Sequence, residues 1–328
     1  LNPTRFNQPE IANFPFPPFC PSANGFSVSL ETHLALDLQE ENKHMNTRQY
    51  KGLFYRDGRF NEVTDTLAIE VGLSVAINGI PYTVTMQTPG FEKDLVRGLL
   101  YAENIYRQPG PHPPMDVTDI DDQGFITGIN IRIPEDQILK DFAGTRNVIS
   151  ASSCGLCGKT SLEDDTAQPI VQQGLLDPAL VGSMFDQMSD AQQSFRQSGG
   201  THAAGIFTIN GELLSLREDI GRHNAVDKTI GDLLNRGLLH EARCLTVSGR
   251  ISYEIVSKAR AVGIPFLASV SAPSSLAVET AENCGMTLLA FCRQDKLTAY
   301  AHPEHLNMNS SSSTKANNYH LAHVEKSK

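Results

Sequence analysis

Apolar and polar positions change rhythm several times along the chain, and each change predicts an element. Up to about residue 60 no period is sustained. Asn, Pro, Gly and Phe mix without order, as in Pro15-Phe16-Pro17-Pro18, and a flexible arm is expected over 1–60. From Leu67 the pattern predicts two strands, 67–77 and 80–86, joined at Asn78-Gly79, a pair suited to the positive φ of a tight hairpin. Helical spacing follows over 91–105, with Leu95, Leu99 and Leu100 on one face. After a Pro-rich break at 109–115, Phe125 to Ile133 reads as a further strand. These elements define an expected small α+β N-terminal domain over 61–145.

A second domain is expected over 146–302. It opens on a short strand, Arg146 to Ile149, that runs into Ala-Ser-Ser-Cys-Gly-Leu-Cys-Gly. One helix is expected around 179–196, then a hairpin of 203–209 and 212–217 about Asn210-Gly211, then a helix over 223–235. From Arg243 the order becomes regular: strand 243–247, helix 251–262, strand 265–270, helix 274–284, strand 286–292. Such alternation predicts parallel strands with covering helices, and ligands of such folds collect beyond the carboxyl ends of the strands. Those ends carry Ser248-Gly249-Arg250, Ser271-Ala272-Pro273-Ser274-Ser275 and Cys292-Arg293-Gln294-Asp295-Lys296. The remainder, 303–328, holds a run of four serines and is expected to be a disordered tail.

Composition narrows the class. At 328 residues the chain can bury a core without staples, and its apolar runs fall short of the roughly 20 residues that cross a bilayer. A formal charge of −10 argues against a nucleic-acid binder, although local fields decide binding of a small anion. Six scattered cysteines in a chain this long fit a reducing compartment, so a cytoplasmic location is expected.

The closely spaced pair, Cys154 and Cys157, is the candidate chemical centre. Small neighbours such as Gly155 and Gly158 let a partner approach a thiolate, and the spacing allows one cysteine to attack a persulfide on the other. Relay of sulfane sulfur and dithiol redox both remain open at this point. Half of a zinc site is a third reading, yet no second Cys pair supplies ligands, so no metal site is expected. Gly221-Arg222-His223-Asn224 opens an amphipathic helix whose amides could hold an oxyanion or be capped locally. His223 reads as proton donor, base or satisfied hydrogen-bonding residue. Ser248, Arg250, Ser271, Ser274, Arg293 and Lys296 outline an anion pocket, while Cys244, Cys284 and Cys292 sit in apolar patterns that bury thiols.

Several longer words then coincide in order: Ser153-Cys154-Gly155-Leu156-Cys157-Gly158-Lys159, Gly199-Gly200-Thr201-His202-Ala203-Ala204, and Arg217-Glu218-Asp219-Ile220-Gly221-Arg222-His223-Asn224-Ala225-Val226-Asp227-Lys228. Ser248-Gly249-Arg250, Ser252, Glu254, Lys258, Ser271-Ala272-Pro273-Ser274-Ser275-Leu276-Ala277 and Phe291-Cys292-Arg293 complete the series. With these the chain resembles the formate dehydrogenase accessory sulfurtransferases, the FdhD proteins, over roughly 65–302. The likeness is weaker at Val96-Arg97-Gly98-Leu99-Leu100-Tyr101-Ala102-Glu103, where the family has a Gly-Phe-containing helix ending in Glu-Gly.

The resemblance implies an α/β fold of cytidine-deaminase-like type, with a mixed sheet and covering helices, and a homodimer. It implies a cytoplasmic sulfur carrier required for formate dehydrogenase activity. Such a carrier takes persulfide sulfur from a cysteine desulfurase and passes it to the bis-guanine-dinucleotide molybdenum cofactor, before that cofactor enters a molybdenum-dependent formate dehydrogenase. Cys154 would carry the persulfide with Cys157 as its companion. Phe291, Cys292, Arg293, Gln294, Asp295 and Lys296 correspond to the family's cofactor-binding stretch, and Arg222, His223, Ser248, Arg250, Ser271 and Ser274 would complete a pocket for guanine nucleotide and pyrophosphate groups. Guanine nucleotide alone would then serve as a ligand analogue. The competing readings are a cofactor-binding chaperone with structural cysteines and a thiol-disulfide oxidoreductase.

Overall fold

The computed structural model describes residues 46–142 and 169–308. Thr47–Arg56 (β1) and Arg59–Ala68 (β2) pair antiparallel with each other and, among the described residues, with no other strand. Their turn is Asp57-Gly58, both at positive φ, 51° and 79°, the backbone that suits a two-residue hairpin. This corrects the flexible arm expected over 1–60, of which 47–60 belong to the hairpin. Neither face of this hairpin is buried over most of its length, so nothing forces apolar and polar residues to alternate, and the period that betrays a strand is missing.

Val71–Ile77 (β3) and Ile80–Gln87 (β4) turn at Asn78-Gly79 as expected, again with both residues at positive φ. With Met115–Ile120 (β5) and Ile126–Ile131 (β6) they form a four-stranded sheet of order β4-β3-β6-β5, in which β3 and β6 run parallel. β5, which leaves the Pro-rich break, was not foreseen; it is an edge strand exposed along nearly all its length. Glu92–Ala102 (α1) lays Leu95, Val96, Leu99 and Leu100 against this sheet.

The larger sheet has six strands in the order β12-β11-β10-β9-β7-β8. Its first elements are Pro178–Ala191 (α2), Gln193–Ser198 (α3), His202–Phe207 (β7), Leu213–Asp219 (β8) and Arg222–Arg236 (α4). Cys244–Val247 (β9), Tyr253–Ala261 (α5), Phe266–Ser269 (β10), Ser275–Cys284 (α6), Thr287–Arg293 (β11) and Lys296–Ala301 (β12) complete it. β9, β10 and β11 are parallel, while β7, β8 and β12 pair antiparallel with their neighbours, which gives a mixed sheet in an α/β protein. One core lies between the sheet and α4, α5 and α6; another, with Met184, Phe207 and Phe266, lies under α2. The single helix expected over 179–196 is broken at Gln192, because the Glu218 carboxylate accepts the amide hydrogens of Ser194 and Phe195 and starts α3 afresh. The strand expected at 146–149 lies outside the described residues.

α1 and α4 cross at two glycines. A Cβ on Gly98 would stand 1.9 Å from the Asp227 carbonyl oxygen, and one on Gly231 would stand 1.9 Å from that of Asp94. Around this seam lie buried ion pairs: Lys228 with Asp219 (2.8 Å), Lys258 with Asp227 (2.7 Å), and Arg217 with Asp232 (3.1 Å). Burial raises the Asp227 carboxyl above its ordinary value, and the Lys258 ammonium opposes that shift.

Candidate functional site

Because β9, β10 and β11 are parallel neighbours, the turns at their carboxyl ends lie side by side, and hydrogen bonds knit them together. The Ser269 hydroxyl donates to the Gly249 carbonyl (2.7 Å), Ile251 donates to the Ala272 carbonyl (3.1 Å), and Phe291 donates to that of Ser271 (3.3 Å). Three segments far apart in sequence thereby form one edge.

The densest charged part of that edge is built around Gly249. A Cβ there would sit 3.2 Å from His202 Nδ1 and 3.3 Å from Arg222 Cδ, so the backbone passes between the start of β7 and the first turn of α4 where a larger residue would crowd both. Ser248 Oγ accepts the Ala203 amide hydrogen (2.9 Å) and lies 3.4 Å from His202 Nδ1. His223 Nε2 is 3.4 Å from Ser252 Oγ and 3.8 Å from Glu254 Oε2. That contact with His223 is the main reason the Glu254 carboxyl falls to about 2. His202 is held below the ordinary histidine value, chiefly by burial and then by the Arg222 cation, with His223 and Arg250 acting in the same direction and Asp219 opposing. Arg250 is exposed and Arg222 half-buried, so the pocket edge offers a positive field to an anion. Beside it opens a cavity of about 410 Å³, lined by Phe185, Met188, Phe195, Thr201, His202 and Ser248 among others.

The predicted residues thus separate by place. Arg222, His223, Ser248 and Arg250 surround one corner, with His202, which lies within the Gly199-Gly200-Thr201-His202-Ala203-Ala204 word but outside the candidate set. Ser271 and Ser274 stand on the next turn, where the Ser274 hydroxyl caps α6 by accepting the Ala277 amide hydrogen (3.2 Å). Phe291 to Lys296 span the end of β11, the Gln294-Asp295 turn and the first residue of β12. There Phe291 takes a left-handed φ of 54° at a bulge and leaves its ring 46% exposed, a costly backbone for an aromatic residue and one that functional sites tend to keep. Arg293, Gln294, Asp295 and Lys296 are exposed, whereas Cys292 turns into the core under α2, where burial pushes its thiol up to about 12. The Cys244 thiol in that core is raised too, by burial and by Cys292. Cys154 and Cys157 lie outside the described residues.

The rest of the Arg217–Lys228 word is scaffold. The Asp219 carboxylate accepts from the amides of Thr88 (3.1 Å) and Gly221 (2.8 Å) and from Asn224 Nδ2 (3.1 Å), besides pairing with Lys228. Lys228 donates to the Thr88 carbonyl (2.7 Å) and Asn224 to that of Met86 (2.7 Å), so these residues fasten α4 to the end of β4. A carboxylate therefore already stands at the start of α4, where the sequence had suggested an oxyanion or a cap.

The family model described as FdhD/NarQ matches residues 68–307, from the last residue of β2 to the end of the described chain but one. The chain belongs to the FdhD/NarQ family. Among its relatives, the sulfur carrier protein FdhD of Streptomyces avermitilis is 40% identical over 269 residues, which cover 78% of this chain and 94% of that protein. The protein of the same name from Mycobacterium bovis is 41% identical over 254 residues (74% and 92%), and that from Sulfolobus acidocaldarius is 36% identical over 267 residues (80% and 100%). A crystal structure assigned to a formate dehydrogenase accessory protein from Desulfotalea psychrophila superposes with a TM-score of 0.62 at 22% identity, covering 80% of this chain and 99% of that one, and supports the fold.

Proposed function

We propose that this chain is a sulfurtransferase that carries persulfide sulfur for the maturation of a formate dehydrogenase. The observation that carries the reading is 40% identity along 94% of a sulfur carrier protein FdhD, together with Cys154-Gly155-Leu156-Cys157 inside the family-matched residues 68–307. The Cys154 thiolate attacks the terminal sulfur of a persulfide on a cysteine desulfurase. The donor's S–S bond breaks, its cysteine leaves as a thiolate that takes up a proton, and Cys154 holds the sulfur in a new S–S bond. Cys157, three positions on, either relays that sulfur or tunes Cys154.

The cargo's receiver is the bis-guanine-dinucleotide molybdenum cofactor, bound as a substrate. Arg222, Arg250, Arg293 and Lys296 offer cations for its phosphates, and the exposed Phe291 ring offers a stacking surface for a guanine. The partners are the desulfurase and the molybdenum-dependent formate dehydrogenase, and the site of action is the cytoplasm. Among the described residues no helix is long and apolar enough to cross a membrane. The mixed six-stranded sheet with three helices packed on one face supports a cytidine-deaminase-like classification. Expression in a bacterium lacking its own carrier tests the proposal. Wild type restores formate dehydrogenase activity and Cys154→Ala at equal abundance does not; restoration by Cys154→Ala would favour a chaperone that binds the cofactor without carrying sulfur.

A further inference from the structure

The tail expected to be disordered from 303 is held in place as far as Asn307. The Leu176 amide donates to the His305 carbonyl (3.1 Å), and the Asn307 amide donates to that of Leu176 (2.8 Å). Pro303–His305 form a single 3₁₀ turn there, beside Thr287, the first residue of β11. One donor atom from each of His302, Glu304 and His305 falls within 4.8 Å of the other two. His302 Nδ1 faces Glu304 Oε1 at 2.8 Å, while its Nε2–H donates to the Glu282 carbonyl of α6 at 2.9 Å. The Thr287 hydroxyl donates to the His302 carbonyl (3.1 Å) and lies 3.1 Å from His305 Nδ1. Its single hydrogen is thereby committed, so it accepts the Nδ1–H, and His305 Nε2 keeps its lone pair. Each ring has one nitrogen fastened to the scaffold and one left over.

We propose that His302, Glu304 and His305 form a zinc site that clips this end of the described chain to α6 and β11. The donor set selects the ion: two imidazoles and a carboxylate suit zinc, whereas calcium and magnesium take oxygen ligands. The hydrogen bonds select the place. A histidine that binds metal through one nitrogen donates the other to a fixed oxygen, as His302 does to Glu282 and His305 to Thr287. His302 also holds a left-handed φ of 48°, uncommon without glycine and kept where a site constrains the backbone. The two rings stand 13° from parallel with centroids 5.3 Å apart. Tetrahedral zinc, with bonds of about 2.0–2.1 Å, sets its donors roughly 3.4 Å apart, so loading turns one ring out of the stack and draws the donors inward. Water takes the fourth position, and the side chains of His302 (27% exposed) and Glu304 (62%) leave the ion a path from solvent. The site lies at the end of β11 opposite Arg293, seven residues or roughly 20 Å along the strand, so the inference is independent of the sulfur-carrier reading.

Calorimetric titration of zinc chloride into the full chain tests it, with Cys154→Ser and Cys157→Ser in every sample so that those thiols do not compete for the ion. One zinc ion per chain is expected, bound at least about tenfold more weakly in His305→Ala. Thr287→Val, which removes no ligand but frees the His305 ring, weakens it about tenfold as well. X-ray absorption of the zinc-loaded chain shows two imidazoles and a carboxylate oxygen without sulfur, a readout that needs no substitution at the site. Failure to bind zinc, binding indifferent to His305→Ala, or a sulfur ligand in the absorption spectrum overturns the proposal. Binding that instead falls in the double variant His320→Ala, His323→Ala is an adventitious ion only and overturns it too. Loss in His305→Ala with Thr287→Val silent overturns the clip to β11.

Discussion

Charged residues of the motif words do different work, and the difference is measurable. Asp219 is fully buried and is the partner of Lys228, whose side chain is 1% exposed. Asp219→Ala strands that ammonium and should cost about 3–5 kcal/mol in urea unfolding. Arg250→Ala, at an exposed position, should leave stability within about 0.5 kcal/mol while weakening guanine-nucleotide binding by titration calorimetry. Equal losses of stability in the two would contradict the division. His202 gives a pH readout. Burial and the Arg222 cation disfavour its protonated form, so its titration midpoint by NMR lies below the ordinary value near about 6.5, and the ring is neutral at neutral pH. Arg222→Ala moves that midpoint upward, as does a bound phosphate-bearing nucleotide, because each makes the site less positive. A midpoint unmoved by Arg222→Ala would remove Arg222 from this corner. The sequence could name Arg222, His223, Ser248 and Arg250 because they fall in motif words at strand and helix ends. It could not separate them from Asp219, Asn224 and Lys228, since partners such as Thr88 and Met86 lie more than a hundred residues away and leave no local trace.

At the scale of elements, the parallel strands and their helices were legible almost residue by residue, because burial on one or both faces imposes a period. What escaped were β1, β2, β5 and β12, strands at sheet margins or in a separate ribbon, where exposure relaxes the pattern. The Asp57-Gly58 turn was the one local signal for the hairpin. The crossing of α1 on α4 was hidden for another reason: a glycine inside a helical pattern reads as a weakness, yet Gly98 and Gly231 are what let the two backbones meet. Gly231→Ala adds about 1 kcal/mol of helix propensity, but its Cβ would fall 1.9 Å from a carbonyl oxygen. The steric term should win by about 1–3 kcal/mol, seen as a lower urea midpoint with an unchanged slope. A stabilised Gly231→Ala would show that the helices part at little cost.

At the scale of the whole molecule, one edge of a mixed sheet gathers cations, a cavity and a strained aromatic residue, while burial raises the thiols of Cys244 and Cys292 in the core. In the proposed carrier reading the chemistry belongs to Cys154 and Cys157, and that reading stands or falls on whether a cysteine there accepts sulfur. The direct test is anaerobic intact-protein mass spectrometry after incubation with a cysteine desulfurase and free cysteine, comparing wild type with Cys154→Ala and Cys157→Ala. A gain of one sulfur atom that reductant removes, present in wild type and absent in Cys154→Ala, is the predicted result. No gain in wild type, with the desulfurase shown to be active on a known acceptor, would contradict it and leave a protein that binds a cofactor without carrying sulfur.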